Sequence, residues 1–330
     1  GLLFAVQAGL TFDAVRNSAN YISLFILAML SYAIFRRGTL DLSRLLPYFA
    51  VVWLIIGAVQ LVYDKNFGTF LLGSVRTTDF RGATGLAPEP TFYATVLLFL
   101  VFFLLTLPRP KFRLAAVCAA AILLIAQSAQ ISLILLAGAG TFFAVRAFTL
   151  NVRLWMYAVL GAVGIGVYFA IGFLENARIL DVLKIIAENP GTLVLVDASA
   201  NNRASHIIIS ISGFVDNFFL PRGVHSAAWA EYFYQQLGIR PDLFWFAFPG
   251  AQIMSGYGKA LFELGLLSFP IIVAINGCFL SRPWSDTALK FSMIVMVNLL
   301  LVSAIPLSHP LIPVLIGWLA SQEPYAERSR

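Results

Sequence analysis

From Pro90 to Leu107 the chain reads PTFYATVLLFLVFFLLTL, without one charged residue. A helix of that length rises about 27 Å at ~1.5 Å per residue, close to the roughly 30 Å hydrocarbon core of a bilayer. Runs of this kind recur. Apolar helices are expected at roughly 20–35, 45–63, 90–107, 113–127, 131–148, 154–174, 259–280, 288–304 and 307–320. The opening GLLFAVQAGL reads as the end of an earlier helix; it has no basic stretch of the kind that begins a signal peptide. The whole sequence is 60% hydrophobic and 12% charged, more apolar than any soluble core requires. The expected class is an all-α polytopic integral membrane protein with about nine to ten transmembrane helices.

The charges that remain are distributed unevenly. Arg36, Arg37 and Arg44 lie between two of the expected spans, as do Arg109, Lys111 and Arg113, then Arg146 and Arg153, then Arg282, with AERSR at the tail. With these spans, all five clusters fall on one side, which the positive-inside rule makes cytoplasmic. The formal net charge of +6 is therefore a topology signal, not a nucleic-acid one. The opposite face holds a first loop over 64–89 and a large loop over 175–258. The chain 1–330 reads as one transmembrane domain carrying these two extracytoplasmic loops, with no internal repeat. In the large loop, ARILDVLKIIAENPG has the spacing of an amphipathic interfacial helix. SANNRASHIIISISGFVDN predicts a second helix capped near Ser199 or Asn201, and HSAAWAEYFYQQLG a third ending at Gly238. Cys118 and Cys278 sit inside apolar runs as small hydrophobes, and three separated histidines make no metal site.

Candidate chemistry gathers on the outer face. Glu89 stands between Pro88 and Pro90 at the start of an apolar helix. Proline suits the first helical position, which puts Glu89 at the N-cap. It could simply complement the helix dipole, but glutamate is not a favoured N-cap, and a rigidly held carboxylate at a membrane surface suits an acid–base role. Arg81 is either an interfacial arginine among lipid headgroups or an anion clamp. Arg203, His206 and Ser210 share one helical face, and Arg203 is a second candidate phosphate ligand. Arg222 and His225 flank a glycine turn, and His225, Trp229 and Tyr232 are spaced to share a face that either binds sugar or packs the loop. Tyr257 is a further candidate sugar contact. Lys259 and Glu263 are four apart at the start of a span, an intrahelical ion pair or a functional pair.

Three stretches resemble the O-antigen polymerase and ligase superfamily of bacterial glycan assembly. RGATGLAPEPT is similar to the Arg–Gly–Glu-Pro-Ser pattern of Wzy-type polysaccharide polymerases, with Thr91 in place of serine. The outer loop carries NNRASHIIIS and PRGVH, and the span after it opens ALFELGLLSFPII. The resemblance spans most of the chain in topology and about thirty residues in motif. It implies a metal-independent glycosyltransferase with a GT-C-like helical bundle, working without a cofactor on undecaprenyl-diphosphate-linked glycan at the outer face of the inner membrane. Arg81, Arg203 and Arg222 would then hold diphosphate, and Glu89 and His225 would be catalytic. Trp229, Tyr232 and Tyr257 would contact sugar. Membrane lipid and a chain-length regulator protein are the candidate partners, and nucleic acid is not. A ligase transferring glycan to lipid A core or protein is the neighbouring alternative, although SGYGK replaces the His-Asn pair that ligases often carry before the post-loop span. A lipid-linked glycan transporter is the alternative of another class.

Overall fold

A computed structural model describes residues 12–38, 41–72, 82–150, 178–250, 252–281, 284 and 286–322. Every regular element among them is helical. In chain order the main helices are α1 (Phe12–Arg36), α2 (Leu42–Val62), α3 (Pro90–Thr106), α4 (Phe112–Ala121), α5 (Ala129–Leu150), α6 (Arg178–Glu188), α7 (Leu193–Val196), α8 (Ala198–Asp216), α9 (Ser226–Ile239), α10 (Gly256–Leu264), α11 (Phe269–Ser281), α12 (Thr287–Ser303) and α13 (Leu311–Ser321). Short 3-10 turns at Thr69–Leu71, Pro190–Thr192 and Gly265–Ser268 join some of them, and α4 ends in a π-helical turn, Ile122–Ala126.

Among the described residues, four helical segments are long and apolar enough to cross a membrane: Ala14–Arg36, Leu42–Val62, Ala129–Phe148 and Gly256–Ser281. The protein is thus a helical membrane protein. Four shorter apolar helices, Pro90–Thr106, Phe112–Ala126, Thr287–Ser303 and Leu311–Ser321, coincide with further expected spans. At ~1.5 Å per residue the shortest of these rises only about 16 Å, half a bilayer core. The expected span at 154–174 lies outside the described residues.

The chain divides into two compact units. One comprises Leu40–Ala187 and Trp284–Met296. In it α3 is sheathed by α2, α4 and α5, and Tyr93, Leu97, Leu98, Phe102 and Leu104 are all fully buried. The other comprises Gly1–Thr39, Glu188–Pro283 and Val297–Arg330. There α13 lies along α1, with Phe35 and Trp318 packed edge to face at 5.3 Å. It also holds an aromatic and aliphatic core of Ile209, Trp229, Tyr232, Phe233, Phe244 and Phe262, drawn from α8, α9, α10 and the loop after α9.

The span after the large loop is expected to be one helix over 259–280, and the structure interrupts it. Gly265 takes φ +57° and ψ −135°, a conformation open almost only to glycine, and a 3-10 turn follows before the helix resumes. The interruption strips neighbouring peptide groups of their helical partners. The segment 219–223 replaces them: Arg222 N donates to Phe262 O at 3.1 Å, Gly223 N to Glu263 O at 3.3 Å, and Leu266 N to Phe219 O at 3.0 Å. Irregular backbone in a membrane helix is tolerated only where protein satisfies it in this way.

A side chain at Gly265 would meet Phe219 O at 2.4 Å and Pro221 N at 2.7 Å. Gly265→Ala should therefore cost roughly 1–3 kcal/mol in backbone strain, plus the displacement of 219–223. Thermal unfolding in detergent should fall by several degrees. Gly277→Ala, where nothing lies within 4 Å, is the control. Equal melting of the two variants would contradict the account.

Candidate functional site

The Glu89 loop belongs to the first unit. Proline at the first helical position starts α3 where the sequence places it, and Glu89 occupies the N-cap with extended backbone. Its main-chain carbonyl accepts from Phe92 N and Tyr93 N at 3.1 and 3.2 Å, but its side chain makes no capping bond. Among the described residues the half-buried carboxylate has neither hydrogen bond nor ion pair. Capping therefore does not account for it. Arg81 lies outside the described residues.

The loop before Glu89 is held from three sides. Gln60 of α2, 1% exposed, is the main anchor. Its amide nitrogen donates to Phe67 O and Gly85 O at 2.7 and 2.8 Å, and its oxygen accepts from Thr84 N and Gly85 N at 3.0 and 2.7 Å. The π-helical turn leaves Ile125 O free to accept from Ala83 N at 2.8 Å. Gly85, at φ +58°, lies so near the Tyr93 ring that a Cβ would sit 2.3 Å from it. Tyr93 itself is anchored through its hydroxyl to Trp53 O at 3.1 Å. Sequence alone missed Gln60 and Tyr93, because a lone glutamine and a lone tyrosine in apolar runs carry no motif.

Arg222 lies in the other unit, on the segment that bridges the interrupted span. Its Nε donates to Gly213 O at 2.8 Å, and its guanidinium lies over the Tyr232 ring, 4.2 Å from the centroid. Those two contacts fix the plane of the group. Three residues on, His225 is the N-cap of α9, half-buried, with no side-chain capping bond. Val224, between them, packs on Ala14 and Tyr21, and its carbonyl accepts from Asn17 Nδ2 at 2.8 Å.

Beneath this turn lies a buried polar cluster. Lys259 and Glu263, 5% and 6% exposed, form the expected pair at 3.7 Å. Lys259 Nζ also donates to Asn17 Oδ1 at 3.3 Å, and Tyr21 donates to Glu263 Oε2 at 2.6 Å. Asn17 and Tyr21 sit more than two hundred residues upstream (242 in both bonds), so no local pattern linked them to this pair.

The NNRASH stretch of α8 divides its labour by face. The helix is capped two residues before Ser199 and four before Asn201, the expected caps, by Asp197, whose side chain accepts from Ala200 N at 2.7 Å. Asn201 donates to Val194 O and Leu243 O and accepts from Phe246 N. Asn202 accepts from Phe248 N at 3.1 Å. His206 is fully buried, accepting from Met254 N at Nδ1 (3.2 Å) and facing Phe248 O at Nε2 (3.0 Å). With Nδ1 an acceptor, the proton sits on Nε2, the neutral tautomer. These three side chains bond backbone groups of Leu243, Phe246, Phe248 and Met254. Arg203 is half-buried on the same helix.

Three expected sugar contacts take different places. Trp229 is 2% exposed, ringed by His206, Phe233 and Phe262, with its indole N–H donated to Pro249 O at 2.8 Å. Both its faces are spent on packing, so it has no surface for a sugar. Tyr257 is buried too, donating to Asn298 Oδ1 at 3.0 Å within a trio completed by Asn276. Tyr232 bonds Asp216 through its hydroxyl and lies under Arg222, and burial pushes that hydroxyl's pKa well above its ordinary value. It borders an open cleft of about 330 Å³ lined by Asn217, Pro221, Arg222, Glu231, Tyr232 and Gln235. Among the described residues no three His, Cys, Asp or Glu side chains are placed to hold a metal ion.

Two outcomes follow from these anchors. Gln60→Leu keeps the helix apolar but orphans four backbone groups, each costing about 1–3 kcal/mol when buried. Amide exchange at Thr84 and Gly85 should accelerate at least tenfold, and unchanged exchange would contradict the anchoring role. Burial lowers the His206 pKa from 6.5 to about 4. A depressed pKa contributes stability that is present above pH 6.5 and lost as pH falls through 4. Protection of the Phe248 and Met254 amides, corrected for intrinsic rate, should thus drop by up to roughly 100-fold over that window. A flat profile would contradict it. No family model, no curated protein and no solved structure matches this chain, so the likeness to glycan polymerases rests on its motifs.

Proposed function

We propose that the protein is a polyprenyl-diphosphate-dependent glycan polymerase of the bacterial inner membrane, working at its outer face. The observation that carries this reading is the Glu89 carboxylate. It stands on a loop fixed by Gln60 and Tyr93, at the mouth of an apolar helix, and among the described residues no side-chain bond occupies it. A carboxylate held rigidly but left unspent is what a general base requires.

In this mechanism an acceptor sugar hydroxyl attacks C1 of the donor sugar. Its proton passes to Glu89, the C1–O bond to phosphate breaks, and the diphosphate leaves with the electron pair. Arg81, eight residues before Glu89 in the sequence, stabilises that departing charge. Arg203 is the second arginine that the resemblance assigns to diphosphate, and His225 its second candidate acid–base group. Arginines supply the charge stabilisation, so the reading requires neither metal nor cofactor. A chain-length regulator and membrane lipid are the expected partners.

One observation favours a transporter instead. Lys259, Glu263 and Tyr21 form a buried ionisable cluster in an interrupted span, an arrangement used for ion coupling. The pair sits, however, in the first three turns of Gly256–Ser281, near the end of the span and not its middle.

Glu89→Gln and Arg81→Ala should each reduce glycan product at least 100-fold, read by gel electrophoresis, with membrane insertion and thermal stability unchanged. Normal product from both variants would remove the assignment. Proton-driven glycolipid flux that survives Glu89→Gln and vanishes in Glu263→Gln would establish the transporter in its place.

A further inference from the structure

The geometry points to the Arg222 cleft as a binding site for a carboxylate-bearing sugar, such as a hexuronic acid residue of the glycan. The inference rests on the glycan reading above and gives Arg222 a sugar carboxylate in place of diphosphate.

The guanidinium is prepared for one kind of partner. Nε is spent on Gly213 O and one face lies on Tyr232, so the plane is fixed. The two terminal nitrogens make no hydrogen bond or ion pair among the described residues. A fixed guanidinium edge with two free donors matches a carboxylate in a fork. The backbone on either side is immobile as well, since Arg222 N and Gly223 N are bonded across the interrupted span.

The remaining lining suits hydroxyls. Glu231 and Gln235 are exposed and one turn apart on α9, and Tyr232 lies between them in sequence. No ion pair joins Glu231 to Arg222 among the described residues, so its oxygens are open to hydroxyl donors. Asn217 uses its Nδ2 on Leu220 O and Pro221 O, which leaves its oxygen as an acceptor. The lining carries one arginine and one glutamate, and Asp216 bonds the Tyr232 hydroxyl nearby. The lining therefore has no surplus positive charge, so a ligand is held by the fork geometry of Arg222 and can bring one negative charge at most. A diphosphate brings more charge than one arginine matches and would face Glu231 directly. A volume of about 330 Å³ is at the small end of ligand sites, a fit for a short sugar segment.

The test measures binding to purified full-length protein in detergent by saturation-transfer NMR, with trigalacturonate, maltotriose and inorganic diphosphate as probes. Trigalacturonate should bind at least tenfold more tightly than maltotriose, and diphosphate should not displace it. Arg222→Gln should abolish that preference. Because Arg222 also packs on Tyr232, Gln235→Glu provides a second variant: it adds a repelling charge at an exposed position and should weaken trigalacturonate at least fivefold, with unchanged melting. Equal binding of the acidic and neutral sugars, displacement by diphosphate, or no binding of any probe would each overturn the inference. Glu89→Gln should bind trigalacturonate as the wild type does. If acidic sugar binds while Glu89→Gln still makes product, the polymerase assignment fails and the cleft stands.

Discussion

A peptide group inside a membrane cannot turn to water, so every departure from helix has to be repaired by protein. At three places where the described part of this chain departs from helix near chemistry-bearing residues, protein groups take up the freed backbone bonds. Gln60 bonds four backbone groups of the loop leading to Glu89. The 219–223 segment bonds the interrupted span at Phe262, Glu263 and Leu266. Asn201, Asn202 and His206 hold Leu243, Phe248 and Met254. Each repair rigidifies a stretch that would otherwise be loose, and two of them set the position of a residue that is left chemically unspent.

The contrast between spent and unspent groups separates architecture from candidate chemistry. His206 looks like a functional histidine on its helix face, yet both ring nitrogens are used on backbone and burial holds it neutral above about pH 4. Trp229 has the composition of a sugar platform, yet its ring is enclosed. Glu89 and Arg222 are the reverse. Their backbones are bonded in place, and among the described residues the Glu89 carboxylate and the two terminal nitrogens of Arg222 make no hydrogen bond or ion pair.

The helical membrane class was legible because apolar runs and basic clusters are properties of contiguous sequence. So was the start of α3, where Pro90 marks the first helical residue and Glu89 the cap. The Lys259–Glu263 pair followed from spacing of four. What escaped depends on long-range contact. Asn17 and Tyr21 reach the pair across 242 residues, Gln60 reaches Gly85 from another helix, and the break at Gly265 follows from the close approach of Phe219. A glycine in an apolar run gives no sign that a second segment will crowd it. The cap of α8 shifted to Asp197 because three good capping residues, Asp197, Ser199 and Asn201, lie within one turn and only packing chooses among them.

The central claim is that the unspent Glu89 carboxylate serves glycosyl transfer from a polyprenyl diphosphate. The most direct measurement incubates purified protein in detergent with undecaprenyl-diphosphate-linked oligosaccharide from the source strain, in EDTA, and resolves the glycan by gel electrophoresis. The account predicts a ladder of lengths. A single shift that requires an added acceptor would make the protein a ligase, and unchanged glycan from a verified native substrate would contradict the claim.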